Sequence, residues 1–231
     1  MFHEFLYKPL LNILIALYNS VSFGDMGIAI ILLTIIVRLI LAPLFYKSMK
    51  NQMIMQKLQP ALQKIQHDHK HDKEKQAQAT MELYKQHKVN PFSGIFMLLL
   101  QLPILYALLQ LFRNFSNLSF SDLYGFLSAP AFINPKFLGL IDLGSSSMII
   151  VVLAAIAQYF QGKLALPGIE KGKVLSTTEQ ISRQMVMVGP VITVIFLLKL
   201  PSAIGLYWLT TTIFSIVQQI YVNKKIKNIQ F

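Results

Sequence analysis

Residues 26–45 form an apolar run long enough to cross a lipid bilayer, and a single arginine, Arg38, stands within it. A guanidinium keeps its charge in proteins. At the centre of a bilayer it costs about 2.5–3.5 kcal/mol on insertion scales. A carboxylate in a neighbouring span would be the usual relief. The chain has ten acidic residues, Glu4, Asp25, Asp68, Asp72, Glu74, Glu82, Asp122, Asp142, Glu170 and Glu179, and none lies inside a membrane-length apolar run. Arg38 must therefore meet water inside the membrane, or a partner that arrives from elsewhere.

Four more stretches, Phe92–Phe112, Leu143–Gly162, Gln184–Leu198 and Leu200–Asn223, carry no charge. With the Arg38 run they give five segments of spanning length, at about 26–46, 92–112, 143–162, 184–200 and 202–223. A hydrophobic share of 54% fits a chain whose core lies largely in lipid. The formal charge of +11 is explained by where the basic residues fall, without nucleic-acid recognition. Five spans place 47–90, 163–183 and 224–231 on one side, with sixteen Lys and Arg, and leave Lys8, Arg113, Lys136 and Lys199 on the other. Cytoplasmic loops gather basic residues, so the pattern predicts an outer N-terminus and a cytoplasmic C-terminus.

Residues 1–23 read as an amphipathic helix lying in the outer interface, with Phe2, Phe5, Leu6, Leu10, Ile13, Leu14 and Leu17 on one face and His3, Glu4, Lys8 and Asn12 on the other. Residues 24–231 form the core. Within it, 47–90 reads as a cytoplasmic helical hairpin. Its first arm carries the stripe Ile54, Leu58, Leu62 and Ile65 and is kinked or restarted at Pro60; its second carries Ala77, Met81 and Tyr84. So thin a stripe predicts weak anchoring and mobility.

The last span is unusually polar. Trp208, Thr211, Thr212, Ser215, Gln218 and Gln219 gather towards one side, Gln158 and Gln161 lie one turn apart on the third span, and Gln101 and Gln110 add amides to the second. Such residues can tie helices together. Taken with the unpaired Arg38, they predict a polar groove inside the membrane, lined by Arg38, Gln158, Gln161, Trp208, Thr211, Ser215 and Gln218. Catalytic and metal sites are not expected. There is no cysteine, every histidine (3, 67, 69, 71, 87) lies outside the spans, and no phosphate-binding glycine loop is present. The run His67-Asp-His-Lys-His71 alternates in a way that no helix face could converge on one metal. No cofactor is implied.

Several stretches resemble the YidC membrane protein insertases: Gly27–Leu44, Met55–Pro60, Tyr84–Pro91, Leu100–Ile104, Tyr159–Gln161, Leu200–Trp208 and Phe214–Gln219, in order over about 24–225. The resemblance is to the short form, without a large extracytoplasmic domain; the chain departs from many short forms in having no cysteine that could carry a lipid. It implies an all-α membrane protein of the bacterial plasma membrane, whose five transmembrane helices enclose a hydrophilic groove open to the cytoplasm and to lipid. It places the family's groove arginine at Arg38 and groove-lining residues at Gln161 and Trp208; Gln158, Thr211, Ser215 and Gln218 come from helical spacing alone. The implied partners are nascent membrane proteins, the lipid bilayer, ribosomes or targeting factors, and the Sec translocon. Two other readings stay open: an anion-selective transporter or channel, and a passive assembly scaffold with Arg38 reaching towards the interface.

Overall fold

The structure, a computed structural model, describes residues 2–113, 120–166 and 177–227. The middle of the expected second cytoplasmic loop (167–176), the end of the basic tail (228–231) and part of the external connection (114–119) lie outside the described residues. After a π-helical turn at His3–Tyr7 come α1 (Lys8–Ser20), α2 (Met26–Lys57), α3 (Gln59–Asp68), α4 (Lys73–Gln86) and α5 (Ser93–Arg113). A two-residue antiparallel pair, β1 (Lys136–Phe137) with β2 (Ile141–Asp142), precedes α6 (Met148–Ala165), α7 (Thr177–Leu197) and α8 (Ser202–Lys227). Four helices among the described residues are long and apolar enough to cross a membrane: α2, α5, α6 and α8. The apolar stretch of α7 is shorter, Arg183–Leu197.

Local chemistry sets the start of α2. One carboxylate oxygen of Asp25 accepts the Ile28 N–H at 3.0 Å, satisfying a free helix-start donor, and the other accepts the Leu138 N–H at 2.6 Å. That second bond draws the β-pair onto the helix. Gly27 permits the approach, because a Cβ there would lie 2.2 Å from Phe137 Cδ2. The expected third span starts later than 143. The carbonyls of Leu143 and Ser145 are taken by the N–H groups of Ala203 and Ser202 at 3.1 and 2.7 Å, so helix α6 begins only at Met148.

The N-terminal helix departs from the expected surface helix. Leu11, Leu14 and Ile15 are fully buried in the same apolar cluster as Met26 and Ile30 of α2 and Leu111 and Phe112 of α5. Asn12, expected on the polar face, is buried too. Its amide donates to the carbonyls of Lys8 and Asp122 at 2.7 and 2.9 Å, and its oxygen accepts the Tyr124 N–H at 2.7 Å. The Tyr18 hydroxyl accepts the Asn134 N–H at 3.1 Å. Each is a buried polar group satisfied by loop backbone. Phe5 and Ile13, expected on the apolar face, are exposed on the outer side of the helix. Helix α1 is thus built into the bundle and tied to the 120–134 loop, with apolar side chains left on its outer side.

Contacts along the helices give their directions. Arg38, Ala42 and Tyr46 of α2 meet Ser215, Gln218 and Tyr221 of α8 in the same order, so these two helices run parallel. Helix α7 runs antiparallel along α6: the Ser146 hydroxyl donates to the Leu197 carbonyl at one end, and a Cβ on Gly162 would sit 3.1 Å from Val186 at the other. Gly205 lets α8 close on α6, since a Cβ there would lie 2.7 Å from Ile150 Cγ2. The large buried cluster fills the end of the bundle nearer α1, with Leu33, Leu108, Ile150, Ala154, Ile204 and Leu206 at its inner edge.

The hairpin forms a small cluster of its own, in which Ile54, Leu58 and Val89 are buried with Leu83 and Tyr84 against them. Helix α2 runs unbroken to Lys57, and α3 restarts with Pro60 in its first turn, where the missing N–H costs nothing. Of the stripe expected on the second arm, Tyr84 packs on the cluster and the other two members do not. Ala77 and Met81 are exposed, whereas Gln76 donates to the Gln66 carbonyl at 3.4 Å and Leu83 packs on the cluster. Asp72 caps α4 by accepting the Lys75 N–H at 3.0 Å.

Candidate functional site

Directly below the apolar plug lies a cavity of about 310 Å³. Arg38 and Phe45 of α2 line it, with Gly94, Met97, Gln101 and Leu105 of α5. Gln158 and Gln161 of α6 and Tyr207, Trp208, Thr211, Thr212 and Ser215 of α8 complete it. Helices α5 and α6 face each other across this space with little direct packing, and Gly94 at its edge is exposed.

Arg38 is 2% exposed. Its Nη2 donates to the Ser215 hydroxyl. Its guanidinium lies over the Phe45 ring, 4.0 Å from Cζ to the ring centre, and 5.4 Å from that of Phe214. Aromatic faces attract cations, by about 2 kcal/mol where water is excluded. Among the described residues no carboxylate comes within ion-pair distance, and Arg38 Nε has no hydrogen-bond partner. The cation is thus held by one hydroxyl and two rings beside an open cavity, with donor capacity left over. A buried charge in that condition favours an anionic or strongly polar group arriving in the cavity.

Six of the seven expected groove residues, Arg38, Gln158, Gln161, Trp208, Thr211 and Ser215, line this one cavity. The Trp208 indole N–H donates to the Gln158 side-chain oxygen at 3.4 Å, so α6 and α8 are joined across the wall. Gln218 lies outside the lining. Its amide donates to the Ala42 carbonyl at 3.0 Å, tying α8 to α2 just before Pro43, the helix-tying role open to any membrane amide. Gln219 likewise bonds within α8, to Asn223 at 2.7 Å.

Sequence reasoning left out Tyr207, whose hydroxyl accepts from the Gln101 amide and joins α5 to α8. Tyrosine beside a span's tryptophan reads as packing, so nothing marked it. Phe45 could have been found, because it lies two helical turns after Arg38 and shares its face.

The chain's relatives bear on what this site does. A family model described as 60Kd inner membrane protein matches residues 16–229. The chain belongs to that family. Proteins named membrane protein insertase YidC are similar to it along most of its length. One from Fusobacterium nucleatum is 33% identical over 225 residues, 96% of this chain and 98% of that protein. One from Clostridium tetani is 34% identical over 198 residues, 86% of this chain and 81% of that protein. One from Geobacter sulfurreducens is 33% identical over 221 residues; there the chain spans 38% of the relative's length. The 60Kd family match covers every residue of the cavity lining.

Proposed function

We propose that the chain is a membrane protein insertase, non-enzymatic, of the bacterial plasma membrane. The observation that carries this reading is the buried Arg38, with no carboxylate within ion-pair distance among the described residues, lining a cavity between α5, α6 and α8. In this reading the cavity is open to lipid between α5 and α6 and towards the hairpin, and closed at its other end by the buried cluster. A polar tail of a nascent chain enters from the hairpin side and brings acidic or polar groups to Arg38. The length of lipid that the tail must cross falls, and with it the desolvation cost. The apolar segment that follows leaves between α5 and α6 and is driven into lipid by burial. Names of similar proteins support the same reading.

The arrangement is one of five spans, with α7 as the fourth although its apolar stretch is short. Its antiparallel course along α6, and the short link Leu198–Pro201 into α8, support this. Lysines and arginines crowd the hairpin end, which supports a cytoplasmic hairpin and an outer N-terminus. Ribosomes, targeting factors and the Sec translocon are the partners expected on that side. An anion channel needs a path through the plug formed by residues such as Leu33, Leu108 and Ile204, which are buried. That observation favours insertion over conduction.

Purified protein in lipid vesicles tests the two. Insertion of a single-span substrate with a short acidic tail is expected to exceed that of protein-free vesicles, with no Arg38-dependent anion flux. Insertion at the protein-free level, or saturable anion flux lost in Arg38→Gln, overturns the reading.

A further inference from the structure

A second cavity, of about 420 Å³, opens where the apolar belt meets the hairpin, between α2, the end of α4 and the start of α5. Three lysines line it, Lys47, Lys85 and Lys88, and no acidic residue does. Among the described residues none of the three makes an ion pair. Ser48, Asn51 and Asn90 add polar groups. The remaining wall is apolar, with Leu44, Phe96 and Met97; Leu44 and Phe96 face outwards from the bundle.

The backbone fixes two of the lysines. Lys88 adopts a left-handed conformation, φ +52°, that glycine or asparagine accepts more readily than lysine. The next residue, Val89, is buried with Ile54 and Leu58, and its N–H bonds the Tyr84 carbonyl at 3.0 Å. Lys85, in the last turn of α4, and Lys88, on the turn after it, are thus held beside a segment locked to α2, which itself supplies Lys47. A cationic cup beside an outward apolar wall, at the edge of a membrane-spanning belt, matches a molecule with a phosphate at one end and hydrocarbon at the other.

We propose that this cavity binds the headgroup of an anionic phospholipid, with its phosphate among Lys47, Lys85 and Lys88 and its first acyl carbons against Leu44, Phe96 and Met97. Basic clusters where spans leave the membrane attract anionic lipid in this way. A bound lipid would brace the root of the hairpin against α2 and α5. The proposal rests on the membrane placement of α2 and α5 and not on insertion, so its binding test can fail while the insertase reading stands.

The test is native mass spectrometry of the full detergent-purified chain with phosphatidylglycerol or phosphatidylcholine. Phosphatidylglycerol is expected to bind in preference. The combined variant K47Q/K85Q/K88Q is expected to weaken it by roughly fivefold for each lysine removed. The variant K64Q/K70Q/K73Q, with the same charge change further out on the hairpin, is expected to bind like the wild type. Equal loss in both variants, equal binding of the two lipids, or displacement by soluble glycerol 3-phosphate would each overturn it. The last result would mean a site for free phosphate esters.

Discussion

Arg38 on α2 donates to the hydroxyl of Ser215 on α8, and that hydroxyl donates in turn to the Thr211 carbonyl at 2.9 Å. The serine proton is committed to its own helix, so its oxygen faces the guanidinium as an acceptor. This relay holds a cation in place without neutralising it. A carboxylate at Ser215 would hold it more firmly and leave nothing for a substrate.

Ser215→Ala should therefore lower the stability of the purified protein by about 1.5–3 kcal/mol, the range for a hydrogen bond to a charged group. Ser215→Asp should raise melting temperature and depress insertion, because the built-in carboxylate competes with the tail. Thermal melts beside insertion yield check both. Insertion by Ser215→Asp at the wild-type level would show that Arg38's free charge is not used.

Charge at position 38 should matter more than shape. Arg38→Lys should retain substantial insertion of a substrate with an acidic tail, although it lacks the planar fork. Arg38→Glu should be the poorest, since it repels that tail and finds no basic residue in the cavity lining. The comparison is made at equal protein level with one short single-span substrate. Equal yield from Arg38→Glu and wild type would remove the electrostatic role.

The α6–α8 wall should be sensitive to one added side chain at Gly205. Gly205→Leu meets Ile150, against which even a Cβ would stand 2.7 Å from Cγ2. Overpacking of this kind costs about 1–3 kcal/mol. Spreading the two helices also lengthens the 3.4 Å contact between Trp208 and Gln158. Adding Ile150→Ala should restore part of the melting temperature and of the indole fluorescence. No recovery in the double variant would mean that the pair does not set the helix spacing.

The hairpin should be separable from the bundle. Its buried residues form their own cluster, and α3 and α4 pack on each other and on the end of α2. Removing residues 67–72 should leave the melting temperature of the bundle unchanged. Asp72 within the intact tip has its own signature. The Lys75 backbone N–H holds its carboxyl below the usual range. Its capping contribution is therefore fully present above the unfolded value and is lost as pH falls through the lower folded one. Protection of the Lys75 amide, relative to its intrinsic exchange rate, should fall in that acid window in the wild type, and at neutral pH already in Asp72→Ala. Flat protection across both would remove the cap.

Four of the expected spans and the gathering of polar residues round one cavity were legible because lipid leaves few choices. A charge-free run must be helical, and polar residues within it must converge or tie helices. Hence Arg38, Gln158, Gln161, Trp208, Thr211 and Ser215 could be grouped from spacing. Gln218 could not be told from them, because the same amide serves a cavity or a neighbour's carbonyl equally well. Asn12 was misread for a related reason. A polar residue on an amphipathic helix faces water unless a loop brings backbone to it, and the 120–134 loop does so through contacts more than a hundred residues away in sequence. On α4 the packed face runs through Leu83 and Tyr84, and Ala77 and Met81, expected beside Tyr84, fall outside it because so short a stripe leaves the face loosely defined.

Site-specific photocrosslinking of a stalled nascent chain tests the central claim most directly. A photoreactive residue in place of Gln158 or Thr211 faces the cavity, and one in place of Val217, 62% exposed on the same helix as Thr211, faces outwards. The account predicts strong crosslinks to the polar tail from positions 158 and 211 and weak ones from 217, with those at 211 reduced by Arg38→Glu. Equal crosslinking from all three positions, or none from 158 and 211, would contradict it.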